Sequence, residues 1–292
     1  MHKYFRSIGF TGLKNNVELC KLRKESFMDP SEIFRIAIDD DLDFLEAYKL
    51  FTESVGILIQ SHYIKNETFS IINCYPIGIS KDVSTFEIPR VYQYSSGDRY
   101  VAVIEDPSIG IPIIFDIINN VELMKNLKDD YLMNYSSSRI SGLSNYGMVM
   151  LPLKKEPGDI KKSTIISDKR KKLITSARNG DERAIESLTI KDIDKNEAVS
   201  RKVQNEDIYT IVDSYFMPDI DGLECNRYAI LGDIENVSCQ ENSITKEKIY
   251  SLLVRVNDVP INVFINSEDL LGEPVEGRRF KGDVFLQGYI NF

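Results

Sequence analysis

The feature of the sequence that most constrains the fold is a run of alternating apolar and polar residues, broken by glycines, over residues 228–292. Alternation with a period of two indicates β-strands. Gly272, Gly277, Gly282 and Gly288 interrupt the run, and a glycine within a strand marks a bend or a bulge. The segment therefore predicts several short, bent strands.

A hairpin and a last strand are the most detailed predictions in this segment. Residues 249–256 and 261–265 alternate on either side of Asn257 and Asp258, which predicts a hairpin. Residues 283–292 are the predicted last strand. Short strands bent in this way predict a small Greek-key barrel of the oligonucleotide/oligosaccharide-binding (OB) type. In the last strand the predicted inward side chains are Val284, Leu286, Ile290 and Phe292, and the predicted outward ones are Phe285, Gln287 and Tyr289.

The preceding part of the chain predicts antiparallel strands accompanied by helices. Between residues 55 and 118, short β-branched or aromatic runs alternate with brief turns. Connections this short join antiparallel strands, because a parallel crossover needs about a dozen residues or more. Apolar residues at helical spacing predict helices at 13–27, 42–52 and 121–128.

These patterns together predict an α+β fold class with three parts. The N-terminal part is an antiparallel sheet with helices, the middle part is a basic helical linker or hairpin, and the C-terminal part is the OB-like β-barrel. A chain of 292 residues is long for one hydrophobic core, which also favours two domains. The predicted boundaries are 1–153, 154–206 and 207–292.

The charge of the chain disfavours nucleic acid as a partner. The net charge is −9, whereas non-specific nucleic-acid binding draws its energy from basic side chains that face phosphates. Residues 154–178 are an exception, with nine Lys/Arg against three Asp/Glu. A basic run can contact RNA or DNA, but it is also typical of the solvated face of a helix. We favour the second interpretation.

An acidic cluster and four scattered cysteines are the candidate metal ligands. Asp39, Asp40, Asp41 and Asp43 lie at the start of the predicted helix at 42–52. Acidic residues there are stabilised by the helix dipole, although consecutive acids could also bind a divalent cation. A Ca²⁺ loop would need a glycine and a distal glutamate, and a zinc site needs closely paired cysteines. We therefore predict no metal and no cofactor.

The last strand and the turn before it carry the candidate binding residues. OB-type barrels bind ligands through exposed aromatic and basic side chains. The acidity of the segment favours the alternative, in which the aromatic rings pack on the N-terminal domain or on a second subunit, while the arginines pair with Glu273 and Glu276. The candidates are Arg278, Arg279, Lys281, Phe285 and Tyr289.

The sequence disfavours an enzyme and predicts no catalytic residues. Nucleophilic catalysis by Ser or Cys usually needs a histidine base, and His2 and His62 stand outside any catalytic motif. The motifs G-x-S-x-G, H-E-x-x-H and G-x-G-x-x-G do not occur. A hydrolase with a pair of carboxylates remains an alternative, because such acids meet only in three dimensions.

The expected function is that of a non-enzymatic binding or interaction protein in the cytosol. The N-terminus lacks the apolar core of a signal peptide, and no run is long and apolar enough to span a membrane. The expected partner is another protein or a second copy of the chain, with no membrane. The alternative is a nucleic-acid or small-ligand binder that uses the C-terminal barrel.

Three motifs resemble a known family. They are M-H-K-Y-x-R-x-I-G-F at residues 1–10, E-D-I-Y-x-I-V-D-S-Y-F-M-P at 206–218, and D-L-L-G-E-P-x-x-G-R-R-F-K-G followed by L-Q-G-Y-I-x-F within 269–292. They are similar to a family of uncharacterised cytosolic proteins of clostridial Firmicutes, classified as a domain of unknown function. The resemblance covers nearly the whole chain. It implies no activity and assigns no role to any residue.

Overall fold

The computed structural model describes residues 3–13, 15–64, 69–95, 99–127, 134–152, 169, 172–177, 180–188, 214–219 and 224–292. Most of the predicted linker at 154–206, including most of its basic stretch, lies outside these residues.

The described chain is mostly sheet with few helices. This agrees with the predicted sheet-rich α+β class. The strands, in chain order, are β1 (Glu32–Ala37), β2 (Leu42–Leu50), β3 (Val55–Ile64), β4 (Phe69–Gly78), β5 (Arg90–Gln93), β6 (Tyr100–Ile104), β7 (Ile113–Ile117), β8 (Ser137–Ser144), β9 (Gly147–Met150), β10 (Tyr215–Pro218), β11 (Arg227–Glu241), β12 (Lys248–Val256), β13 (Val259–Asn266), β14 (Leu270–Leu271) and β15 (Arg279–Asn291).

Helices accompany the strands in the described residues. They include α1 (Asn16–Met28), α2 (Asn120–Leu127) and the 3₁₀ helices Lys3–Ile8 and Ser267–Asp269, and residues 172–177 and 182–188 are also helical. The predicted helices at 13–27 and 121–128 are thus confirmed. Helix α1 begins where the side chain of Asn15 accepts a hydrogen bond from the backbone N–H of Glu18, a common N-terminal cap. None of the helices in the described ranges has the length and apolar character that crossing a bilayer requires.

Strands β1 to β4 form a four-stranded antiparallel sheet in sequential order. The predicted helix at 42–52 is wrong, because β2 occupies this segment between β1 and β3. Each edge of β2 has a hydrogen-bonding partner, and its acidic residues Asp43 and Glu46 are buried with polar partners. Local acidic and helical signals are therefore overridden by pairing with the neighbouring strand on each side.

The acidic cluster closes the turn between β1 and β2. The Oδ1 atom of Asp39 accepts hydrogen bonds from the backbone N–H groups of Asp41 and Leu42, at 2.9 and 2.8 Å. An aspartate that bonds its own backbone two residues ahead is a typical turn former. Turn formation thus explains this part of the cluster.

The second sheet contains eleven strands. Its main order is β10-β11-β12-β13-β8-β15-β7-β6-β5, and β9 and β14 pair beside this path. The predicted hairpin is confirmed as β12 and β13, with Asn257 in the left-handed conformation at φ +53°. Strand β8 lies in the predicted N-terminal part of the chain but pairs with β13 and β15. The sheet therefore includes strands from both predicted domains.

The pairings of five strands return to their starting point. Strand β11 pairs with β12, β12 with β13, β13 with β8 and β8 with β15, and β15 pairs again with β11. Only the β13–β8 contact in this circuit is parallel. Strand β11 is long enough to pair with both β12 and β15. Its register against β12 shifts between Ile234 and Asn236, as expected for a β-bulge.

Strand β15 is buried on both faces. Val284, Leu286 and Ile290 belong to the largest hydrophobic cluster, as the predicted inward orientation requires. Phe285 is 5% exposed and belongs to a second cluster with residues of the N-terminal 3₁₀ helix. The exposed position of Phe285 is not observed, and the favoured alternative, in which its ring packs on the N-terminal part of the chain, is confirmed.

Gly288 provides a test of how β15 packs against β7. A Cβ atom added at Gly288 would overlap the ring of Phe115, which is fully buried in β7. We expect Gly288→Ala to lower the free energy of unfolding by about 1–3 kcal/mol, since overpacking displaces core side chains and backbone. Urea unfolding measures the change.

Gly12→Ala is the matched control for Gly288→Ala. A Cβ atom at Gly12 has no heavy atom within 4 Å, so its effect is expected to stay within about 0.5 kcal/mol. Equal unfolding free energies for the two variants would contradict the packing of β15 on β7.

Candidate functional site

A surface groove lies at the tip of the β12–β13 hairpin. Its cavity volume is about 590 Å³, which is within the usual range of about 300–1,000 Å³ for ligand sites. We call it the hairpin groove. It is lined by residues 83–88, Asp106, Ser108, Arg255, Asp258 and Pro260.

The apolar wall of the hairpin groove is unusually exposed. Phe86 is 76% exposed, Ile88 is 55% exposed and Val83 is 39% exposed. Burial of a side chain of this size stabilises a protein by about 1.5–3 kcal/mol. These side chains stay exposed, so folding does not gain that stabilisation from them. Contiguous exposed apolar surface is typical of interaction sites.

The segment that carries Phe86 is anchored to β8. Thr85 forms a β-bridge with Ser138 of β8, and the backbone N–H of Ser138 donates to the Thr85 carbonyl at 2.9 Å. The hydroxyl of Ser84 accepts from the backbone N–H of Ile140 at 2.8 Å. Ser84 and Thr85 are buried, so the exposed side chains project from a fixed backbone.

The carboxylate of Asp106 is fixed in the groove by neighbouring donors. Its Oδ1 accepts from the backbone N–H of Ser108 at 2.9 Å and from the Ser108 hydroxyl, and its Oδ2 accepts from the Thr85 hydroxyl at 3.0 Å. These bonds link the 106–108 turn to the anchored segment.

The hairpin wall carries one cation, which has an acidic partner. The guanidinium of Arg255 donates to both carboxylate oxygens of Glu235, and this hydrogen bonding raises the arginine pKa. Its Nη1 also donates to the Asp258 carbonyl at 3.1 Å. The Nδ2 of Asn257 donates to the Ser108 carbonyl at 3.1 Å, which holds the hairpin against the opposite turn.

The predicted basic residues do not line the hairpin groove. Arg279 is 3% exposed, and its Nε donates to the Leu151 carbonyl at 3.1 Å. Arg278 is half-buried, and its Nη1 donates to the Glu273 carbonyl at 2.9 Å. Lys281 is half-buried on β15. Each of these two arginine hydrogen bonds goes to a backbone carbonyl.

The predicted aromatic residues contact other parts of the protein. The ring of Phe285 lies 5.0 Å from the ring of Tyr4. The Tyr289 hydroxyl donates to Glu122 at 3.0 Å, and the guanidinium of Arg139 lies 4.5 Å above its ring. A strand rises about 3.3 Å per residue, so Arg279 and Tyr289 are about 33 Å apart along β15. The structure does not bring the five predicted residues together, and their binding role stays a prediction.

Two carboxylates, those of Glu46 and Glu122, line a small cavity beneath α2. Phe34, Tyr48 and Tyr289 also contribute to its wall. The cavity volume is about 10 Å³, which is about the space that one water needs. The cavity is too small for a sugar or a peptide, so the two acids cannot act together on such a substrate in this conformation.

Glu46 has a structural role in this cavity. Its Oε1 accepts from Gln60 at 3.1 Å and from Asn120 at 2.8 Å, and its Oε2 accepts from the backbone N–H of Val121 at 2.9 Å. These bonds attach the first turn of α2 to the four-stranded sheet. Burial raises the pKa of Glu46 above its ordinary value of 4.5, although the hydrogen bonds oppose this shift.

Few local signals in the sequence indicate the residues of the hairpin groove. Phe86 and Ile88 stand between the short runs that predict strands, and Asp106 stands in one of the brief turns that separate such runs. The pairing of Thr85 with Ser138 joins residues far apart in the chain, and no local pattern reports such a contact. The available signal was the presence of Phe86 and Ile88, two large apolar residues, in a segment without regular alternation.

The raised pKa of Glu46 predicts a pH dependence of stability. In the folded state the Glu46 carboxyl keeps its proton at pH values where the unfolded chain has lost it. The stabilisation that results is complete below about pH 4.5 and is lost as the pH rises through the folded-state pKa. We expect the unfolding free energy of the native protein, relative to that of the Glu46→Gln variant, to fall between about pH 5 and about pH 8. Urea unfolding at both pH values tests this, and a constant difference would contradict it.

Comparison with known proteins identifies a family. The family model described as "Domain of unknown function, E. rectale Gene description (DUF3881)" matches residues 5–288. No curated protein and no solved structure matches the chain. The family match confirms the resemblance carried by the three motifs. Because the matched region includes both sheets and the hairpin groove, the chain as a whole belongs to this family of unknown function.

Proposed function

We propose that the protein is a non-enzymatic binding module and that the hairpin groove is its binding site. The observation that carries the proposal is the exposed Phe86 side chain in a ligand-sized groove with a fixed backbone. Binding hot spots are enriched in large side chains that become fully desolvated on contact. A rigid wall also lowers the entropic cost of association.

The five-strand circuit supports a finer proposal about the C-terminal half. We propose that β11, β12, β13, β8 and β15 form a small OB-like barrel, with β8 supplied by the N-terminal part of the chain. The pairings that lead from β11 back to β11 support it. The number of strands is that of an OB-type barrel. The proposed groove then lies at the hairpin end of this barrel.

The two alternatives from the sequence have less support. A nucleic-acid site on β15 would need accessible basic side chains, but Arg279 is buried and Arg278 donates to a backbone carbonyl. A hydrolase with two carboxylates would need room for its substrate, and the cavity at Glu46 and Glu122 has about 10 Å³. The cytosolic location, the boundaries at 153/154 and 206/207, and association into oligomers stay proposals from the sequence.

A fragment screen tests the proposed binding site. We expect fluorinated aromatic fragments, observed by ¹⁹F NMR, to bind the full chain with dissociation constants of about 1 mM or lower. Phe86→Ala should remove this binding without changing the unfolding free energy, because the side chain is 76% exposed. Chemical shifts of the Val83 and Ile88 methyl groups should report the same contacts.

Tyr146→Ala is the matched control for the fragment screen. Tyr146 is 58% exposed, lies in the turn between β8 and β9 and does not line the groove. Its variant should bind fragments as the native protein does. Two results would contradict the proposal. One is fragment binding to the Phe86→Ala variant, and the other is the lack of any fragment that shifts the NMR signals of the Val83 and Ile88 methyl groups.

A further inference from the structure

We infer that the hairpin groove selects a linear peptide segment in which a lysine or arginine stands beside apolar residues. This inference rests on the proposed function and specifies the chemistry of the partner. It depends on two properties of the groove that occur together, which are an apolar wall and an excess of negative charge.

The charges around the groove do not balance. The lining residues include three carboxylates, Glu87, Asp106 and Asp258, and one cation, Arg255. The charge of Arg255 is already matched by Glu235, to which it donates two hydrogen bonds. Arg255 also interacts electrostatically with Asp258, so Glu87 and Asp106 are the lining carboxylates that leave a net negative potential, and such a potential attracts cations and repels phosphates and acidic peptides.

Asp106 is the best placed of these carboxylates to bind a cation. Ser108 and Thr85 donate to it and fix its position, so a ligand does not need to order it. Among the residues that the structure describes, no cationic side chain pairs with Asp106 or with Glu87. A charged hydrogen-bond donor on the ligand would form charge-assisted bonds, which are stronger than neutral ones.

The apolar wall defines the rest of the ligand. Phe86 and Ile88 flank Glu87 in sequence, and all three are exposed. A ligand that places a cation near Glu87 therefore also lies within reach of apolar side chains. A lysine or arginine side chain combines a cation with apolar surface, because its aliphatic stem packs on apolar groups while its charged end stays in a polar environment. Neighbouring aliphatic residues of the ligand would cover the remaining apolar surface.

The dimensions of the groove favour a linear segment over a folded protein surface. A stable interface between folded proteins buries about 1,200–2,000 Å² in total, whereas this groove is formed by one short segment, one turn and one hairpin tip. Linear peptides bind in grooves of this kind through a few anchoring side chains. Nucleic acid is disfavoured because its phosphates would face the carboxylates.

Peptide selection from a random library tests the inference. We would select phage-displayed twelve-residue peptides on the full chain and measure synthetic copies by fluorescence anisotropy. We expect enrichment of sequences in which Lys or Arg adjoins aliphatic or aromatic residues. Their affinity should fall as the salt concentration rises, because screening weakens exposed charge pairs.

Three variants assign the selected peptides to the groove. Glu87→Gln should weaken binding about two- to fivefold, as expected for an exposed ion pair. Asp106→Asn should weaken it about tenfold, since a charge-assisted bond is lost, and Phe86→Ala should weaken it at least about tenfold. Glu276→Gln, an exposed substitution in the turn before β15, is the control that should leave affinity unchanged. If Asp106→Asn alters the fold, Glu87→Gln decides the question.

The outcomes separate this inference from the proposed function. Fragment binding at Val83 and Ile88 together with enrichment of neutral or acidic peptides would overturn the inference and leave the proposed site in place. Basic peptides whose affinity is unaffected by Glu87→Gln and Phe86→Ala would also overturn it. If neither fragments nor peptides bind at the groove, both proposals fail.

Discussion

The rest of the structure depends on the enclosure of strand β15 between neighbours. It pairs with β8 and β9, and also with β11 and β7. Its alternate side chains enter different hydrophobic clusters, with Ile290 in the largest, Phe285 in the second and Tyr289 packed on a third. A strand of this kind cannot be removed without exposing apolar surface on both sides, and burial of that surface is the main favourable contribution to folding. This makes β15 the element that connects both halves of the chain.

The hairpin groove is a consequence of this arrangement, because both of its walls are attached to β8. The β12–β13 hairpin is attached through the parallel pairing of β13 with β8, and the segment with Phe86 through the bridge between Thr85 and Ser138. Strand β8 is in turn held by β15 over six paired residues. The two walls of the groove therefore come from distant parts of the chain, and both are supported by β8. The backbone on each side of the groove is held in place by its pairing with β8.

Local patterns were sufficient for the elements that depend on local chemistry. The alternation around Asn257 predicted the β12–β13 hairpin, and the alternation of Val284, Leu286 and Ile290 predicted the last strand and its inward face. The sequence did not reveal partners that are distant along the chain. Acids at 39–43 are typical of a helix start, whereas this segment is a strand that pairs with β1 and β3 and whose Glu46 bonds to the distant Asn120 and Val121 of α2. The site could not be predicted for the same reason, since the wall with Phe86 and the β12–β13 hairpin are brought together through their separate pairings with β8.

The central claim is that β15 joins both halves of the chain into one cooperative unit, and hydrogen exchange of the Ile290→Ala variant tests it most directly. Ile290 is fully buried in the largest cluster, so its truncation should cost about 2–5 kcal/mol. Mass spectrometry would follow exchange in peptides from β6–β7, β8 and β11–β12 under conditions where the exchange rate reports the opening free energy. The account predicts an equal loss of protection in all three regions. A loss confined to β11–β15, with β6 and β7 unchanged, would contradict it.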